Sequence, residues 1–272
     1  MDRCPYDELF IYYCRGNLPA EISVPESDFL GAWEEEGDFF LFFGRPAGDA
    51  VRRLLESIPS VELIDTYNMS YEQWQGQSLS VVDAGDFFIA PPWHRFDPPA
   101  SRPCIWLDPG VVFGNCRHPT TLHCLEAVKR AFARRPPRTV ADLGTGTGVL
   151  ALACAFLGAE KVLALDLNPL ATATAMGNVR LNRLEEKVLV ARGRADNFMD
   201  LPFDLVVSNI HYDVMKQMLA AESYRLPKQY VFSGLFRSQA RLIEEELGRN
   251  GVRIVESWHQ DGIWHTFLAE NF

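Results

Sequence analysis

The chain has 272 residues, 47% hydrophobic and 23% charged, with a net charge of −10, a composition that suits a folded protein of one large or two modest domains. Six scattered cysteines without a Cys-x-x-Cys pair argue against a disulfide framework and a zinc ribbon. No apolar run approaches the roughly 20 residues of a membrane helix, and the acidic start lacks the apolar segment of a secretory signal, so the expected location is cytoplasmic.

In chain order, the apolar and aromatic run Leu9 to Tyr13 suits a strand, as does Phe39 to Phe43 after the Gly37-Asp38 turn. The second run has no interleaved basic residues, so it reads as core and not as a nucleobase-stacking platform. Val51, Leu54, Leu55 and Ile58 share one helical face, with Asp49 as the expected N-cap, and Val61 to Ile64 begins another strand. Prolines 91, 92, 98, 99 and 103 mark a linker or domain edge.

From His118 onward, strands and helices alternate, the pattern of a parallel sheet covered on both faces. A helix is expected over Thr121 to Ala133, a strand over Thr139 to Leu143, a helix over Val149 to Leu157 and a strand over Val162 to Leu167. The next helix opens at Pro169 with Asn168 as its cap. Strands follow at Val188 to Ala191, Phe203 to Ser208 and Tyr230 to Phe232, then a helix over Gln239 to Leu247. Arg253 to Trp258 and Ile263 to Leu268, joined through Asp261-Gly262, read as an antiparallel hairpin closing the sheet.

Charge divides the chain differently from composition. Residues 1–100 hold 18 Asp and Glu against six Arg and no Lys, a net of −12, while residues 101–272 carry +2. The expected organisation is an acidic α+β substrate-recognition domain over 1–90, a Pro-rich linker and cofactor-covering loop over 91–117, and a catalytic domain over 118–272. The acidic part, with its Glu34, Glu35 and Glu36 cluster, suits a basic protein partner and repels nucleic acid.

The chemistry concentrates at Asp142-Leu143-Gly144-Thr145-Gly146-Thr147-Gly148, a Gly-rich turn between a strand and a helix. Such turns let backbone approach a nucleotide-type ligand. A dinucleotide fingerprint wants its third glycine at position 149, which is Val149. Asp166, at the end of the next strand, is placed to accept the two hydroxyls of a ribose. By residue type Cys116, His118, His123 and Cys124 are the best metal candidates, but their spacing fits none of the usual zinc patterns and no metal is expected.

The stretch Leu107-Asp108-Pro109-Gly110-Val111-Val112-Phe113-Gly114-Asn115-Cys116-Arg117-His118-Pro119-Thr120-Thr121 resembles the Leu-Asp-Pro-Gly loop of the ribosomal protein L11 methyltransferase (PrmA) family. Asn209-Ile210, Ser233-Gly234 with Gln239, Trp264, Glu72-x-Trp74 and Phe88 to Trp93 resemble further segments of that family. The resemblance covers about residues 71–272. It implies a doubly wound, mostly parallel, seven-stranded Rossmann-like α/β sheet with a smaller N-terminal α+β domain. It also implies S-adenosylmethionine as methyl donor, held by Thr121, Gly144, Asp166 and Asn209, to which the Gly-rich turn adds Asp142 and Gly146. Asn209 and Tyr212 are the expected catalytic residues, methylating lysine or N-terminal amino groups of a basic, ribosomal protein. His211 reads as a surface residue.

Two departures stand out. A loop glycine of the family is here Cys116, which should stiffen the loop. Tyr212, following Asn209-Ile210-His211, makes the segment resemble the Asn-Pro-Pro-Tyr motif of other amino-group methyltransferases. Alternatives are a small-molecule or nucleic-acid methyltransferase, and a degenerate relative that binds without turnover. An NAD oxidoreductase ranks last.

Overall fold

The structure, a computed structural model, describes residues 4–17, 28–35, 37–76, 79–220 and 227–271; of the Glu34 to Glu36 cluster, Glu36 lies outside them. The chain forms two compact units, Met1–Ser80 with Trp93–Arg95, and Val81–Pro92 with Phe96–Phe272.

The first unit contains β1 (Glu8–Arg15), β2 (Phe29–Glu35), β3 (Asp38–Phe43), α1 (Gly48–Glu56), β4 (Glu62–Ser70) and α2 (Tyr71–Gln75). Its sheet is antiparallel, in the order β2-β3-β1-β4. Strand alternation sends Tyr12, Cys14, Phe39, Leu41 and Phe43 to one buried cluster with Val51 of α1. Helix α1 begins earlier than its sequence suggests. Ala47 and not Asp49 holds the N-cap position, without a side-chain bond. The Tyr12 hydroxyl accepts the Ala47 N–H at 2.8 Å, which fixes the helix start, and leaves Asp49 in the first turn, paired with Arg52.

The second unit opens with β5 (Val82–Asp83), β6 (Phe88–Ala90) and β7 (Cys104–Trp106), a small three-stranded sheet. Residues 81–90, expected with the acidic domain, thus fold with the larger unit, because Phe88 to Ala90 pair in parallel with Cys104 to Trp106. The 91–117 stretch expected as linker and loop contains β7, and its prolines lie in the crossover that a parallel pair requires.

There follow α3 (Pro119–Arg134), β8 (Thr139–Leu143), α4 (Val149–Phe156), β9 (Lys161–Asp166), α5 (Pro169–Leu181), β10 (Val188–Arg192), β11 (Leu205–Asn209), α6 (Tyr212–Ala220), β12 (Gln229–Phe236), α7 (Arg237–Arg249), β13 (Val252–Gln260) and β14 (Trp264–Asn271). They build a seven-stranded sheet ordered β10-β9-β8-β11-β12-β14-β13, parallel except for β14. Strand β8 is buried on both faces and α4 is buried almost all round, the pattern of a covered parallel sheet. Asn168 caps α5 through the Leu170 N–H at 2.9 Å, with Pro169 in the first turn, as its sequence predicts. Asp261 and Gly262 both take positive φ, 52° and 68°, in the tight turn joining β13 to β14.

Candidate functional site

In the large sheet the order reverses at β8: β9 and β10 extend one way, β11 and β12 the other. In open α/β sheets ligands bind outside the carboxyl ends of the strands at such a switch point. The Gly-rich turn ends β8, Asp166 ends β9 and Asn209 ends β11. Their shared location follows from topology alone.

Gly144 and Gly146 take φ of 79° and 55°, and both sites are too tight for a side chain. A Cβ on Gly144 would collide with Ile210, and one on Gly146 would lie 2.7 Å from the Phe113 carbonyl oxygen. The turn is tied to the neighbouring strand: the N–H groups of Gly144 and Thr145 donate to Leu165 O, at 2.8 and 2.9 Å. The Gly146 N–H donates to one carboxylate oxygen of Asp166 at 3.0 Å, and the Asn168 N–H to the other at 2.9 Å. Each oxygen keeps a lone pair for a further donor. Burial raises the Asp166 pKa above the ordinary carboxylate value, opposed by those backbone bonds.

Asp142 is fully buried at the start of the turn. Its Oδ2 accepts from the Thr145 hydroxyl at 2.6 Å and the Ala151 N–H at 3.0 Å, whereas its Oδ1 has no partner among the described residues. Desolvation pushes its pKa up to about 7. The hydroxyl of Thr121, on the first turn of α3, is likewise buried and without a partner among the described residues. These two polar atoms, at the end of β8 and the start of α3, are open to a further partner.

Asn209 is held by a short relay. Its Nδ2 donates to the hydroxyl oxygen of the buried Thr120 at 3.3 Å, and that hydroxyl lies 2.7 Å from Nδ1 of His118. With its oxygen receiving from Asn209, Thr120 gives its one proton to His118, whose Nδ1 also caps α3. Burial lowers the His118 pKa, so the ring is neutral with its proton on Nε2. The relay fixes which end of the Asn209 amide is the acceptor. His118 in turn meets Phe113 and Trp264 edge-on, at 5.5 and 4.9 Å between centroids. Tyr212, at the start of α6, is half-buried and packs with Ile210 against the apolar cluster beneath β11 and β12. His211 is exposed.

The loop over 107–117 is anchored from α5. Asn178 donates to the carbonyls of Asp108 and Thr147, at 2.8 and 2.9 Å, and accepts the Asp108 N–H at 2.8 Å. Asn182, one turn on, exchanges bonds with both backbone groups of Trp106, at 2.9 and 2.6 Å. Farther along, the Thr147 hydroxyl donates to Gly114 O at 2.9 Å. Cys116 takes φ 63° and is buried. A left-handed non-glycine residue is a strained feature of such a loop.

Among the described residues no group of three His, Cys, Asp or Glu side chains is arranged to hold a metal. Burial pushes the thiols of Cys116 and Cys124 up to about 12, so both are neutral. Sequence reasoning missed Thr120, Asn178 and Asn182 as parts of the site. The four-residue spacing of the two asparagines on one helix was the available signal.

The residues present fit S-adenosylmethionine: a turn that excludes side chains, a strand-end carboxylate for hydroxyls, and an unpartnered carboxylate oxygen and hydroxyl for the polar end of the cofactor. The model of the ribosomal protein L11 methyltransferase (PrmA) family matches residues 56–271. A ribosomal protein L11 methyltransferase of Anoxybacillus flavithermus is 35% identical over 201 residues, covering 72% of this chain and 63% of its own length. That of Bacillus cytotoxicus is 31% identical over 236 residues, covering 82% and 74%. The match therefore spans less than two thirds of the Anoxybacillus relative. Among solved structures, a ribosomal protein L11 methylase from Lactobacillus delbrueckii subsp. bulgaricus has a TM-score of 0.61 at 30% identity, covering 71% of this chain and 98% of that one. The N-terminal domain of human METTL16 in complex with SAH, at 19% identity and a TM-score of 0.51, covers 62% and 76% and shares the fold. On the family match and the identities together, the chain belongs to the ribosomal protein L11 methyltransferase (PrmA) family.

Proposed function

We propose that the chain is an S-adenosylmethionine-dependent protein methyltransferase acting on lysine or N-terminal amino groups of a ribosomal protein, with L11 as the substrate that its relatives' names suggest. The observation that carries the reading is the convergence of a glycine cradle, the Asp166 carboxylate and two orphaned polar atoms, on Thr121 and Asp142, at the sheet's switch point. In this reading Gly144 and Gly146 give the cofactor backbone to lie against, Asp166 accepts the ribose hydroxyls, and Thr121 and Asp142 take its amino-acid end. When bound, S-adenosylmethionine supplies a methyl group on an electrophilic sulfonium.

Asn209 then contacts both cofactor and acceptor. With its Nδ2 held by Thr120, its Oδ1 accepts an N–H of the incoming amine and aligns the nitrogen, and such positioning supplies much of the catalysis. The amine must be neutral, whereas a free lysine, with a pKa of about 10.4, is mostly charged at pH 7. Ile210, Tyr212, His118 and Trp264 desolvate the acceptor and lower that value. The proton passes to water. The acidic first unit recruits the basic substrate through its field.

Methyl-labelled S-adenosylmethionine incubated with purified L11 should label L11 at amino nitrogens. Asp166→Ala should weaken cofactor binding roughly 10- to 150-fold, the value of hydrogen bonds to a charged group, with the fold intact by circular dichroism. Unchanged cofactor affinity in that variant would remove Asp166 from the site.

A further inference from the structure

The ring contacts that begin at His118 continue outward. Phe236 stacks on Trp264 with centroids 4.5 Å apart. Phe236 also borders a cleft of about 520 Å³ completed by Arg237, Ser238, Arg241, Gly262 and Ile263. A chain of contacts therefore runs from Asn209 through Thr120, His118, Trp264 and Phe236 into this cleft. None of the cleft residues belongs to the cofactor site.

Phe236 and Ile263 are 47% and 52% exposed, so the cleft presents two large apolar side chains to solvent. Among the described residues no carboxylate pairs with Arg237, and Arg241 meets Glu245 of its own helix only at 3.7 Å. Arg237 opens α7, where the helix dipole adds positive potential, and Arg241 follows one turn on.

We propose that this cleft seats the acceptor polypeptide next to its target amine, and that it selects acidic and apolar side chains flanking that amine. The inference rests on the methyl-transfer reading and adds the chemistry of the acceptor segment. Guanidinium groups hold carboxylates in paired hydrogen bonds, and the apolar walls accept a neighbouring aliphatic or aromatic side chain. A nucleic acid suits the cleft less well. The chain carries a net charge of −10, α7 bears Glu244, Glu245 and Glu246 behind the arginines, and the exposed apolar walls offer nothing to a phosphate. The preferred substrate is thus bipolar, basic over its body and acidic around the methylated residue.

Peptide affinity tests this without turnover, so a failure here is separate from a failure of methyl transfer to L11. Two fluorescein-labelled nonapeptides, each with a central lysine and one phenylalanine but flanked by aspartate or by lysine, are titrated with the full chain by anisotropy. The aspartate-flanked peptide should lose about tenfold or more in affinity on Arg237→Glu/Arg241→Glu and less on Arg237→Gln/Arg241→Gln, while the lysine-flanked peptide gains. Phe236→Ala should weaken the aspartate-flanked peptide as well. Equal response of both peptides to charge reversal would overturn the proposal. So would a single-stranded oligonucleotide that binds more tightly than either peptide and is released by the same double variant.

Discussion

Asp142 combines full burial, two strong hydrogen bonds on one oxygen and none on the other. Its pKa of about 7 in the folded chain lies well above the unfolded value near 3.8, so between those values the folded state holds the extra proton. Stability contributed by this group is then present at low pH and lost as pH rises through that window, at up to about 1.4 kcal/mol per unit. Asp142→Asn keeps the acceptor for Thr145 and Ala151 and abolishes the titration. Thermal denaturation of the free protein from pH 4.5 to 7.5 should show the variant gaining on the parent as pH rises; parallel curves would mean Asp142 does not titrate in this range. Residues of this kind were legible where chemistry is tied to local spacing. The glycines and Asp166 announce themselves by position after a strand. Thr120 did not, because its part in orienting Asn209 depends on a contact 89 positions away in sequence.

At the scale of elements, α5 holds the loop over 107–117 much as a neighbouring strand would. Asn178 in α5 and Asn182 at its C-cap pair through their amides with the backbone of Asp108 and Trp106. Asn178→Ala leaves the part-buried backbone groups of Asp108 and the buried carbonyl of Thr147 without this partner, a loss of about 2–3 kcal/mol. The melting temperature should fall by about 5–15 °C, and cofactor affinity should fall with it because the loop borders Gly146. A variant that melts with the parent would show that the loop is anchored elsewhere. The long elements of the large sheet were readable because their apolar runs and caps agree. The short pairs β5, β6 and β7 were not, since two or three residues carry no period and their pairing is non-local. Asp49 misled for a related reason: its capping chemistry is sound locally, but a tertiary bond from Tyr12 set the helix start.

The whole molecule joins a strongly acidic stretch to a nearly neutral one, and its large sheet brings to one end the residues expected to hold cofactor and acceptor. Topology could be inferred from the strand–helix alternation, whereas the boundary between units could not. Residues 81–90 are acidic and precede the prolines, yet they pair with a strand beyond them. The central claim is that this one end of the sheet performs methyl transfer to a protein amine with Asn209 aligning the nucleophile. Single-turnover transfer of a labelled methyl from S-adenosylmethionine to L11, measured beside calorimetric cofactor affinity, tests it directly. The parent should transfer label, and Asn209→Ala should lower the transfer rate by about 100-fold or more while cofactor affinity falls far less. No transfer by the parent under saturating cofactor, or equal losses of rate and affinity in the variant, would contradict it.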